Sequence, residues 1–281
     1  MLEYLPTDLV VLICGLMGLI GLILGSGLNC LAMRLAAGKK WSGNERSACP
    51  HCGHTLGAFE LIPLISWLIQ GGKCRHCASP ISIRYPLTEA TLALVYVALL
   101  FKFGFTMQLI TPVIFASCLF CLSLVDFDTQ IIPDRFHVIP IIARFTELLL
   151  IGGIRGLLTG IIPGLIIAGS VLAISLVMDK ILKKDTMGGG DIKLLFVIGC
   201  FLSLPECLLM VMIACIVGIV MASILMKLDS ETQFPFGPAL SIAAIVSRYL
   251  YKMSGNIWTP AVLNAVLMTV MTVANTMVCY R

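Results

Sequence analysis

Charge is what this chain has least of. Only 12% of its 281 residues are Asp, Glu, Lys or Arg, while 59% are hydrophobic. One soluble core cannot hide that much apolar surface at this length, so a water-soluble globular domain is excluded. Other features are missing too. No small-residue cleavage site follows the first apolar run, 9–33, which is also too long for a signal-peptide core and is expected to be a retained first helix. No dinucleotide-type glycine motif follows a strand. No inverted repeat of the transporter kind is visible. The basic residues fall where membrane topology needs them, which leaves no nucleic-acid patch.

What the chain has is a series of apolar runs near the roughly 20 residues that a bilayer core requires. After 9–33 they fall at about 88–106, 109–126, 131–152, 157–178, 192–204, 206–226, 235–250 and 258–279. The pattern predicts an all-α polytopic membrane protein with eight or nine transmembrane helices and a small zinc-binding cytoplasmic domain between the first two. Residues 1–35 form the first helix, 36–87 a polar loop domain, 88–250 a membrane-embedded domain, and 251–281 a C-terminal extension with room for an extra helix.

The loop carries Lys39, Lys40, Arg46, Lys73, Arg75 and Arg84 against Glu45 and Glu60, which places it in the cytoplasm and the N-terminus outside. Within it, Cys49-Pro50-His51-Cys52 and Cys74-Arg75-His76-Cys77 are two CxxC knuckles separated by 21 residues. Each can offer two thiolates to one tetrahedral Zn2+. Two disulfides are the competing reading, and a reducing cytoplasm argues against them. His51, His54 and His76 are substitute ligands, but four cysteines already close a structural site.

Counting crossings from that loop returns the connections 127–130 and 179–191 to the cytoplasm, and the second holds Lys180, Lys183 and Lys184. Asp126 then ends one helix and Asp191 begins another on the same side, at the edge of the membrane. Gly188, Gly189 and Gly190 precede Asp191, and glycines permit a sharp turn and close approach. Two carboxylates that share one proton supply both the acid and the base for amide hydrolysis. An ion or proton path is the alternative. Asp128 and Asp134 compete with Asp126, and spacing does not choose among them. Arg144 and Glu147, three residues apart on a helix, are expected to pair.

Together these motifs resemble the type IV prepilin peptidases, the bifunctional leader peptidases and N-methyltransferases among the GxGD aspartic membrane proteases. The resemblance runs from about residue 20 to about 245. It is carried by Gly25-Ser26 with Leu28-Asn29 and Arg34-Leu35, then by Arg46-Ser47 leading into the CxxC pairs. Leu61-Ile62-Pro63-Leu64, Ser66, Gly72, and Ile81-Ser82 through Arg84-Tyr85-Pro86 to Glu89 follow. Asp126 through Pro133-Asp134, Met187 through Asp191 with Lys193, and Pro235-Phe236-Gly237-Pro238 complete it.

The resemblance implies Asp126 and Asp191 as the catalytic pair, with Gly188, Gly190, Asp134, Lys193 and Glu89 in support. It implies Cys49, Cys52, Cys74 and Cys77 as zinc ligands. The implied activity is removal of the leader of type IV prepilins or pseudopilins, followed by methylation of the new N-terminus from S-adenosylmethionine. The setting would be the bacterial inner membrane, in contact with lipid, with the site facing the cytoplasm. Glu89 could hold the incoming amine or anchor the loop at the interface. A protease without methyltransferase activity and a transporter with acidic ion sites are the alternatives.

Overall fold

The structure, a computed structural model, describes residues 6–39, 46–183, 187–228 and 236–254. The expected run at 258–279 lies outside the described residues. Among the described residues every extended element is a helix, and two single antiparallel bridges, Ala48 with Thr55 and Lys73 with Pro80, take the place of strands. The helices are α1 (Thr7–Ala36), α2 (Ile65–Ile69), α3 (Arg84–Phe103), α4 (Ile110–Thr129), α5 (Arg135–Leu182), α6 (Gly189–Gly199), α7 (Leu204–Leu228) and α8 (Gly237–Ser254).

Among the described residues, four stretches are long and apolar enough to cross a membrane: Thr7–Ala36, Arg84–Phe103, Met107–Thr129 and Arg135–Ile181. Leu204–Val220 and Gly237–Ser247 are shorter apolar helices. The fourth stretch has 47 residues, about 70 Å of helix at ~1.5 Å per residue, or two bilayer cores of ~30 Å. It is not continuous. Gly153 has φ 57° and ψ −152°, a non-helical conformation open to glycine, at the place where the sequence separates two apolar runs. Large side chains such as Leu150 and Ile154 are exposed around this break, as befits a surface whose solvent is lipid.

The chain divides into two compact units, Met1–Val125 and Asp126–Arg281. In the first, α1 lies close against α3 because Gly21 and Gly25 face the backbone of Ala93 and Glu89, where a Cβ would collide. Met17, Leu92, Tyr96, Leu100 and Leu109 form its buried cluster, and the Tyr96 hydroxyl meets Ser117 Oγ at 2.6 Å. In the second unit, Gly164 of α5 meets Gly199 of α6 with the same intimacy. The expected helix pair forms: Arg144 donates to Glu147 Oε2 at 2.8 Å, and also to the Cys200 carbonyl at 3.1 Å. Each charge is thereby satisfied inside an apolar element.

Candidate functional site

Asp126 lies in the last turn of α4 and is only 4% exposed. Its Oδ2 accepts the Gly237 N–H at 2.8 Å. Gly237 opens α8, and Pro238 behind it has no N–H, so the Gly237 amide is the donor that this helix start presents. Asp191 is the third residue of α6, and its N–H closes the first turn on the Gly188 carbonyl at 3.1 Å. The charge of Asp126 acts on Asp191, so the two carboxylates form an electrostatic pair within the second unit.

Of the two uses expected of the glycines, close approach is the one the structure shows, at Gly188 and Gly190. Gly188 is extended at φ −67° and ψ 136°, and none of Gly188, Gly189 and Gly190 has a positive φ. Room is the requirement. A Cβ on Gly188 would stand 3.2 Å from Asp191 Oδ2, and one on Gly190 would stand 3.1 Å from Ile132 Cβ.

The competitors of Asp126 are separated from it. Asp128 is exposed. Asp134 accepts from Lys193 Nζ at 2.7 Å, and that hydrogen bond and charge hold its carboxyl below the usual range. Two residues expected in support thus serve each other. His137, which follows in α5, carries no motif that would have marked it. It is 4% exposed, and its two ring nitrogens have no hydrogen-bond partner among the described residues.

In the first unit, the four cysteine sulfurs lie within 4.8 Å of one another, and Cys49, Cys52, Cys74 and Cys77 are all free of disulfides. Cys49 and Cys77 sulfurs are 3.8 Å apart, about the edge of a tetrahedron with metal–sulfur bonds of roughly 2.3 Å. Local backbone sets this arrangement twice. Cys49 N–H bonds the His54 carbonyl and Gly53 N–H the Cys49 carbonyl, each at 2.9 Å; Cys74 with Ser79 and Ala78 with Cys74 repeat both bonds at 2.9 Å.

The thiols compete for charge. Amides of Cys52 and His51 pull Cys49 down to about 6. The His54 amide also pulls on Cys52, but burial and the sulfurs of Cys49, Cys77 and Cys74 outweigh it and push Cys52 up to about 11. The Ser79 hydroxyl and amide lower Cys77. A dication resolves such competition, so the donor set fits a metal.

Glu89 on α3 is buried, and its Oε2 accepts the Leu64 N–H at 2.6 Å. Leu64 sits at φ 61° and ψ −51°, and the Ile65 N–H reaches the Pro63 carbonyl at 2.6 Å. This is a γ-turn of the rare strained kind, held by the carboxylate. Glu89 also borders a cavity of about 580 Å³ with Met33, Arg34, Trp67 and Tyr85 in its wall. Trp67 is fixed there by an indole N–H bond to the Ile81 carbonyl at 3.2 Å and by Gly72, whose φ is 68°.

Fold and site together define a helical membrane protein with a buried aspartate, a second aspartate at a helix start, and a four-cysteine loop. The chain belongs to the type IV leader peptidase family: residues 113–223 match that family, and residues 19–103 match the bacterial peptidase A24 N-terminal domain. It is 32% identical to the prepilin leader peptidase/N-methyltransferase of Pseudomonas aeruginosa, over 88% of this chain and 93% of that one. The protein of the same name from Stutzerimonas stutzeri is 31% identical over 87% and 93%. That from Aeromonas hydrophila is 34% identical over 72% and 70%. No solved structure matches the chain.

Proposed function

We propose that this protein is an aspartic endopeptidase of the bacterial inner membrane that removes the leader of type IV prepilins or pseudopilins and methylates the new N-terminus. The observation that carries the proposal is the pairing of Asp126 with Asp191, one buried and hydrogen-bonded, the other at a helix start. One carboxylate is charged and takes a proton from the attacking water. Its neutral partner donates a proton to the peptide carbonyl oxygen, and the tetrahedral intermediate collapses as the leaving amine is protonated. The dyad acts as a unit, so neither role belongs to one residue. The Gly237 N–H holds Asp126 in place throughout.

The chain crosses the bilayer eight or nine times in this reading, and the basic loops put the aspartate pair at the cytoplasmic face. Lipid surrounds the helices, and a prepilin held by its own apolar helix enters from the side. The cysteine cluster holds a structural Zn2+. S-adenosylmethionine, when bound, supplies an electrophilic methyl group to the new amine. The cavity near Glu89 fits it: about 580 Å³ is in the usual range for small-molecule sites. Trp67, Tyr85, Arg34 and Glu89 are the wall residues that would hold it, through aromatic faces, a cation and an anion.

Mass spectrometry of a co-expressed prepilin tests the proposal. Wild type yields leaderless, methylated pilin, and Asp128→Ala does the same. Asp126→Ala and Asp191→Ala leave the precursor intact, a loss of at least about a thousandfold. Cleavage by either variant would overturn the dyad, and a cleaved product without the methyl group would remove the transferase.

A further inference from the structure

Beside the four cysteines the loop gathers a second donor set that the peptidase reading does not use. One ligand atom each from His54, Glu60 and His76 lies within 4.8 Å of the others. Three separate pieces of chain deliver them, each fixed by a backbone hydrogen bond. His54 closes the first knuckle, its carbonyl accepting the Cys49 N–H at 2.9 Å. His76 sits in the turn of the second knuckle, spanned by Ala78 N–H to the Cys74 carbonyl at 2.9 Å. Glu60 ends a short turn, and its Oε2 accepts the Gly57 N–H at 2.8 Å.

The imidazole rings lie 3.5 Å apart between centroids, tilted by 32°. His54 Nε2 and Glu60 Oε2 are 3.7 Å apart, too far for a hydrogen bond. That spacing is near the edge of a tetrahedron built on bonds of about 2.0–2.1 Å, roughly 3.3–3.4 Å. Side-chain rotations that open the ring stack bring the nitrogens onto one ion. Two imidazoles and one carboxylate, brought within 4.8 Å of one another by fixed backbone, are a transition-metal donor set.

We propose that His54, Glu60 and His76 form a second metal site, distinct from the four-cysteine cluster, which takes a divalent first-row ion of the zinc type. Two imidazoles and one carboxylate leave a coordination position open, the pattern of sites that bind a further ligand rather than only staple a fold. Glu60 also lines the cavity that Glu89 borders, so the open position is available to an oxygen donor from that side. The Gly57 N–H orients the carboxylate as second-layer donors do around metals. Because the knuckles carry both histidines, filling the cysteine site preorganises the second one.

Cobalt titration of the full-length protein in detergent, after removal of bound metal, tests the assignment. Thiolate ligation gives an intense sulfur-to-cobalt charge-transfer band, and imidazole and carboxylate ligation gives none. The expected course is two Co2+ per chain: the first saturates the charge-transfer band, and the second adds only visible absorption. The His54→Ala/His76→Ala double variant keeps the first and loses the second. Glu60→Gln, which keeps an acceptor for Gly57, weakens the second at least tenfold. A wild-type titration that ends at one equivalent with the charge-transfer band saturated would overturn the proposal, as would a second equivalent that survives unchanged in both variants.

Discussion

At the scale of single residues, the hydrogen bond from Leu64 to Glu89 shows what one carboxylate does in the loop. The sequence placed Glu89 at the membrane edge and left it two roles. The structure ties its Oε2 to the backbone of a strained turn, 25 residues away in sequence. Glu89→Ala leaves the half-buried Leu64 N–H without its acceptor, which destabilises the loop by about 1 kcal/mol. Glu89→Gln keeps an acceptor and restores most of that. Thermal unfolding of the two variants in detergent checks the order. Asp126 was similarly undecided against Asp128 and Asp134 on spacing. The choice depends on partners far along the chain: Gly237 for Asp126 and Lys193 for Asp134. Local pattern holds no record of such partners.

At the scale of elements, apolar period and length made the helices legible, because a bilayer imposes one length on every passage. The ends were less so. α6 begins at Gly189 rather than near Ile192, since glycines that look like turn formers can sit in a first helical turn when close approach is what the site needs. The break in α5 was visible as a gap between apolar runs, but its form was not. Gly153 adopts a conformation that other residues reach only at a cost of about 1–3 kcal/mol. Gly153→Ala is expected to lower the midpoint of thermal unfolding, whereas Gly152→Ala, with a helical neighbourhood and nothing within 4 Å of its added Cβ, leaves the midpoint near wild type.

At the scale of the whole molecule, the two family matches fall mainly one in each compact unit, 19–103 in the first and 113–223 in the second. The cysteine cluster and the carboxylate pair therefore belong to different units, and their stabilities are expected to separate. Cys74→Ser, or chelation of wild type, releases the structural metal and opens the loop to protease while the membrane helices stay inserted. Metal analysis with limited proteolysis checks this; full zinc content in Cys74→Ser would refute it. The cluster itself was readable from Cys-x-x-Cys spacing, because knuckle geometry is local. The cavity and the γ-turn beside it were not, because they arise where α1, α3 and the loop meet.

The two knuckles repeat one set of backbone bonds, yet each brings only two sulfurs, so neither closes without the other. On the zinc reading, a chain made in a zinc-starved cell inserts its helices and leaves this loop open to proteases. Degradation then removes what metal has not sealed. The amount of mature enzyme then follows the supply of a nutrient, and the leader processing proposed above inherits that dependence.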